Sequence, residues 1–182
     1  MLCSDALLAL WYTFIMENRR RPHLRARSWD YSDPAQYFVT VCTHKKRPML
    51  AVIPNDHLSD PEGCDVQLTP IGLICQEVLA EPLEALPTYS IAKRVIMPNH
   101  IHLIVVNEGE RERKSLSHLM ARVKGKVTRE CRREGILAQD EPLWQRGFYD
   151  HIIRDEEDRQ RIVEYIANNP MKWHLDRFHS GT

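Results

Sequence analysis

The chain carries no excess of charge: 25 lysines and arginines balance 25 aspartates and glutamates. Attraction of the whole molecule to a polyanion is therefore excluded, and any contact with nucleic acid must rest on local clusters. Paired cysteines are also missing. The five present (Cys3, Cys42, Cys64, Cys75 and Cys131) are odd in number, scattered and nowhere spaced C-x-x-C. This excludes a disulfide framework and a cysteine zinc site, and makes a reducing cytoplasm the expected location. A membrane segment is absent as well. Residues 6–16 are largely apolar but too short to span a bilayer. Arg19, Arg20 and Arg21 follow that stretch, the reverse of the order in a signal peptide. No membrane association is expected, and there is no internal repeat or low-complexity tract.

What is there suits one folded domain: 182 residues, 43% apolar and 27% charged. Residues 1–22 are expected to be an extension, either a frayed helix or an over-long start, since Met16 would open a shorter chain. Residues 23–175 are expected to form the domain, and 176–182 a tail.

The β-branched and aromatic segment Tyr37–Thr43 predicts a central strand. A loop rich in proline, aspartate and asparagine follows, with a short hairpin pairing Leu50–Ile53 and Val66–Leu68. Thr69-Pro70 is a helix start, and the helix is expected to continue to about Leu86, where Pro87 stops it. Tyr89–Met97 and His100–Val106 predict two strands joined at Pro98-Asn99. Ser115 can cap a helix over Leu116–Arg133, and Tyr149–Ile153 predicts another strand. The acidic run Asp155–Asp158 favours the start of a last helix reaching Asn169. This order, β-α-β-β-α-β and a helix, is the ferredoxin-like split βαβ pattern. It predicts an α+β fold: a mainly antiparallel sheet of four or five strands with packed helices.

The chemistry centres on His100-Ile101-His102. Side chains alternate along a strand, so both histidines point to one face. They are either two hydrogen-bonded strand histidines or two ligands of one divalent cation. Their apolar flanks make unpartnered rings costly and favour ligation. Two imidazoles fall short of a four-ligand structural zinc site; an open Mg²⁺ or Mn²⁺ site that also takes substrate phosphate suits them better. On the last helix, Tyr165 and Asn169 share one stripe at the edge of the apolar face made by Ile162, Val163 and Ile166.

Two further clusters stand out. Arg122, Lys126, Arg129 and Arg133 recur at helical spacing, either as a phosphate-tracking stripe or as a solvated helix face. Trp144-Gln145-Arg146 mixes a ring, an amide and a cation, which can stack on and read unpaired bases or simply pack as a loop.

Taken in order, these motifs resemble the single-tyrosine HUH transposases, in particular the REP-associated tyrosine transposases. The resemblance runs from about Arg27 to Trp173. It rests on Tyr37–Thr43, Met97–His102, Trp144–Arg146 with Asp150–Asp155, and Tyr165–Pro170 with Lys172-Trp173. It implies a metal-dependent endonuclease and strand transferase acting on single-stranded or hairpin-forming repeat DNA. Tyr165 would be the nucleophile, forming a 5′-phosphotyrosine link, and His100 and His102 would hold the metal. Asn169 would stand where related insertion-sequence transposases use a glutamine as third ligand. Arg154, in the Asp150–Asp155 block, joins the DNA-binding candidates. Gly147 departs from the family, in which a polar residue often precedes the aromatic pair. The alternative is a structured-DNA-binding protein of the same fold with weak or lost catalysis. Relatives include both monomers and dimers, so the oligomeric state stays open.

Overall fold

The computed structural model describes residues 34–54, 66–81, 86–109 and 115–173. The expected extension at 1–22 and the tail at 176–182 lie outside them. Strand β1 (Ala35–Cys42) leads into the hairpin β2 (Ala51–Val52) and β3 (Gln67–Leu68) and then helix α1 (Pro70–Ala80). Strands β4 (Tyr89–Ile96) and β5 (His100–Asn107) precede helix α2 (Leu116–Arg133), strand β6 (Tyr149–Ile153) and helix α3 (Glu156–Asn168).

The main sheet has four strands in the order β4-β5-β1-β6, with every pair antiparallel. Strand β5 therefore lies between β4 and β1, which is the split βαβ topology expected from the order of elements. The short hairpin pairs Ala51 with Leu68 and Val52 with Gln67, as its sequence suggested.

Helix α1 is shorter than expected. It starts as predicted, with the Thr69 hydroxyl accepting from the Gly72 amide at 3.1 Å and Pro70 in the first turn. It ends at Ala80, and Glu81 is already extended (φ −70°, ψ 147°). The reason is Pro82, whose ring disfavours helical geometry in the residue before it; Pro87 is not the stop. The last helix agrees closely: the Asp155 carboxylate accepts from the Asp158 amide at 2.8 Å, and three acidic residues occupy the first turn.

The two faces of the sheet are unlike. Tyr37, Val39 and Val41 of β1 and Ile101, Leu103 and Val105 of β5 build the large core with α1 and α2. The opposite face carries Phe38 and Ile104, which pack with Ile162 and Ile166 of α3 into a small cluster. The register sets Thr40 opposite His102 and Cys42 opposite His100. Alternation therefore puts both histidines on the face that α3 covers.

Candidate functional site: a histidine pair facing Tyr165

His100 opens β5 because the chain turns in only two residues. The Met97 amide donates to the His100 carbonyl at 2.9 Å, closing the turn at Pro98-Asn99. Neighbours pin that turn: the Thr43 amide donates to the Asn99 carbonyl and the Leu50 amide to the Pro98 carbonyl, both at 2.9 Å.

The Asn99 side chain then fixes the first ring. Its Nδ2 donates to the Lys46 carbonyl at 3.1 Å, which turns Oδ1 toward His100 Nδ1 at 2.9 Å. An amide oxygen only accepts, so His100 Nδ1 carries the proton and a neutral ring keeps its lone pair on Nε2. Lys46 reaches this position from a 3-10 turn (His44–Lys46) in which Lys45 and Lys46 both have positive φ, 54° and 55°. Such left-handed, non-glycine backbone cases gather at sites where geometry matters more than comfort.

His102 is held from the other strand, with Nδ1 2.9 Å from the Thr40 hydroxyl. Both rings are fully buried (0% exposed). Their Nε2 atoms lie 3.0 Å apart, and the Tyr165 hydroxyl lies 3.3 Å from His102 Nε2. Phe38 packs edge-on to Tyr165 at 5.9 Å and tilted against His102 at 5.1 Å. Trp173 lies 6.0 Å from His100 and walls the far side.

The donor set fits a divalent cation. Each Nδ1 is engaged by a hydrogen-bond partner, and the two Nε2 atoms lie 3.0 Å apart. Neighbouring ligands of an octahedral ion at about 2.1 Å stand about 3.0 Å apart, which matches the observed separation. Two imidazoles do not complete such a site. Among the described residues, no group of three or more His, Cys, Asp or Glu can hold a metal. Further ligands must be an amide, the tyrosine oxygen, water or substrate phosphate. Asn169, the expected third ligand, is the C-cap of α3 and is buried (3% exposed), one turn beyond Tyr165.

The DNA-binding candidates fall elsewhere. Helix α2 packs on the large core, so its basic stripe lies across the sheet from the histidines. Lys126 pairs with Glu81, Arg129 with Glu130, and Arg133 with Glu130 and Glu134. Arg122 is exposed. Half-buried Trp144 pairs with Thr43 at the end of β1 and donates Nε1–H to the Lys124 carbonyl at 3.1 Å. The Gln145 backbone N–H donates to the Cys42 carbonyl at 2.9 Å, while Arg146 and Arg154 are exposed.

Several supporting residues escaped the sequence reading. Thr40 and Phe38 have no signal of their own, because only the strand register sets them beside His102. Asn99 could have been noticed as the neighbour of His100. Lys124 sits outside the basic stripe, yet its ammonium bridges the Gln145 and Gly147 carbonyls at 2.7 and 2.8 Å. Burial pushes that ammonium below its ordinary pKa.

A split βαβ sheet that presents two histidines to a tyrosine on its last helix defines the class of single-tyrosine HUH proteins. The comparisons agree. Residues 74–169, more than half of the chain, match the sequence profile of the IS200-like transposases, and this chain belongs to that family. The matched span includes both histidines, Tyr165 and Asn169. An uncharacterized protein of Haemophilus influenzae is 27% identical over 178 residues, covering 87% of this chain and 93% of its own. A second Haemophilus influenzae protein, a "Putative REP-associated tyrosine transposase", is 30% identical over 82 residues, covering 42% and 47%. In fold, the chain resembles a REP-associated tyrosine transposase solved with a REP hairpin. That likeness has a TM-score of 0.53 at 22% identity, over 79% of this chain and 70% of the other.

Proposed function

We propose that this protein is a metal-dependent single-stranded DNA endonuclease and strand transferase acting on hairpin-forming repeat DNA. One observation carries the reading: the Tyr165 hydroxyl lies 3.3 Å from His102 Nε2, which lies 3.0 Å from His100 Nε2. A nucleophile and two ligands for a Lewis acid thus meet at one point. The description of the second Haemophilus relative and the hairpin in the solved structure support the choice of substrate.

In this reading Tyr165 attacks a backbone phosphorus. The phenol proton leaves to solvent as the tyrosine–phosphorus bond forms, the bond from phosphorus to the 3′-oxygen breaks, that oxygen takes up a proton from solvent, and the 5′-phosphate stays on the tyrosine. A Mg²⁺ or Mn²⁺ ion held by His100 and His102, with Asn169 as third ligand, would polarise the scissile phosphate and ease departure of the 3′-oxygen. Asn99 and Thr40 keep the two rings aimed. Phe38 and Trp173 keep the pair shielded. The 3.3 Å approach of Tyr165 to His102 of its own chain supports action in cis.

The test is end-labelled hairpin DNA with a single-stranded tail, incubated with Mg²⁺ or Mn²⁺ and run on a denaturing gel. The expected product is a covalent protein–DNA adduct, absent in Tyr165→Phe, in His100→Ala and in the presence of EDTA. An adduct that persists in Tyr165→Phe identifies a different nucleophile. A wild-type protein that binds such DNA but never forms an adduct favours the binding-protein reading.

A further inference from the structure

Lys124 stands apart from the cations beside it on α2. Lys126, Arg129 and Arg133 pair with glutamates, whereas the half-buried Lys124 ammonium goes to two main-chain carbonyls, Gln145 at 2.7 Å and Gly147 at 2.8 Å. Its own carbonyl accepts the Trp144 indole N–H at 3.1 Å. One helical residue therefore grips loop 144–147 at three points. Gly147 has the backbone for this, with φ at 80° in the left-handed region. A Cβ at Gly147 meets nothing within 4 Å, so the glycine supplies a backbone shape and not space.

The loop so held covers one edge of the end of β1. The β6 ladder follows β1 only as far as Thr40, opposite Tyr149, and the loop takes over from there. The Gln145 backbone N–H donates to the Cys42 carbonyl at 2.9 Å, Trp144 pairs with Thr43, and the His44 amide donates to the Leu143 carbonyl at 2.8 Å.

The other edge of the same three residues meets the histidine turn. Cys42 lies opposite His100. Fully buried Thr43 holds the Asn99 carbonyl with its amide at 2.9 Å and its hydroxyl at 3.0 Å. Asn99 Oδ1 in turn meets His100 Nδ1 at 2.9 Å. Residues 42–44 are thus a spacer clamped between the loop that Lys124 grips and the turn that aims the first ring. A strand end released on one edge opens locally at low cost, and the turn on its other edge loosens with it.

We propose that Lys124 is a positioning residue for His100, acting round the end of β1 from the opposite side of the sheet by holding loop 144–147 against Cys42–His44. The proposal rests on the reading of His100 and His102 as the reacting centre. The competing role is the one a lysine on a basic helix suggests, direct contact with phosphate. The two roles differ in what they move: a phosphate contact changes affinity for a polyanion, and a positioning residue changes the state of the His100 ring with no DNA present.

Two variants separate them. Lys124→Met keeps an unbranched stem and removes the donor. Gly147→Ala keeps the ammonium and strains the backbone that it grips. Both are read first in metal-free protein, by the ¹⁵N–¹H NMR spectrum of the histidine rings. Wild-type His100 is expected to show one sharp signal set with the proton on Nδ1, and both variants to show it broadened or mixed with the other tautomer. Affinity for Mn²⁺, followed by EPR of the free ion, is expected to fall about threefold to tenfold in both. Val78→Ala, a cavity in the large core under α1, controls for plain destabilisation and is expected to leave the ring spectrum unchanged.

The proposal is overturned if Lys124→Met and Gly147→Ala leave the His100 signals and the Mn²⁺ affinity at wild-type values, or if Val78→Ala moves them as far. It is also overturned if Lys124→Met leaves the ring spectrum unmoved and only flattens the salt dependence of DNA binding by about one charge, the mark of a phosphate contact. The ring spectrum needs neither metal nor DNA. A protein that never forms an adduct but shows the shifted His100 signals refutes the catalytic reading and leaves the positioning role standing; an adduct made at the wild-type rate by Lys124→Met, with the spectrum unmoved, does the reverse.

Discussion

The two faces of one sheet serve opposite ends. Toward α1 and α2, Tyr37, Val39 and Val41 of β1 and Ile101, Leu103 and Val105 of β5 join a core of more than twenty buried side chains. Toward α3, the same strands offer Phe38 and Ile104 to a cluster of four and place Thr40, His100 and His102 beside it. The first face holds the fold together and the second gives up apolar contact to hold polar groups in the dry. Burying an imidazole is costly unless it is partnered, and the partners here come from outside the small cluster: Asn99 from the turn and Thr40 from β1.

This contrast can be broken deliberately. The largest effect is expected from His100→Ala, which should lower adduct formation by more than about a hundredfold, measured on denaturing gels. It should also cost less in unfolding free energy than the matched change on the other face. That change, Leu103→Ala, should cost about 2–5 kcal/mol in chemical denaturation, because Leu103 is buried in the large core. If His100→Ala proves the more destabilising, the histidine face is structural and the contrast fails.

A smaller effect should come from Asp158→Asn. Its buried carboxylate accepts from His151 Nε2 at 2.8 Å and from the Arg154 amide at 3.3 Å, tying the first turn of α3 to β6. Loss should cost about 1–3 kcal/mol and slow adduct formation less than His100→Ala does, since the tyrosine helix loosens but both histidines stay in place. The smallest effect belongs to Thr69→Ala on the structural face. Removing this cap should cost about 1 kcal/mol and leave the adduct rate unchanged. A slower adduct in that variant would mean that the two faces are coupled through the sheet.

Much of this architecture was legible in the sequence for a simple reason. The strands alternate or run apolar, and the helices begin at hydroxyl or acidic caps. The His100–His102 spacing needed only the period of a strand, and the amphipathic pattern of α3 put Tyr165 at the edge of its buried face, while the choice of Tyr165 as nucleophile came from the family resemblance. What could not be read was contact across elements. Thr40 and His102 are 62 residues apart and meet through a register that no single segment specifies. The end of α1 falls short of the expected Leu86 because Pro82, not Pro87, disfavours helical geometry at Glu81. The basic stripe on α2 was visible as a periodicity. Its partners Glu81, Glu130 and Glu134, which partly neutralise it, became visible only when the helices were packed.

The two-residue turn at Pro98-Asn99 has one more consequence. With His100 as the first residue of β5, both histidines take their orientation from a single phase, the point at which the strand begins its alternation. A single-residue insertion between Asn99 and His100 would, if the pairing shifted with it, turn both rings to the apolar face together. The pair is therefore gained or lost as a unit, and loop length at this turn is under as strict a constraint as the identity of the histidines themselves.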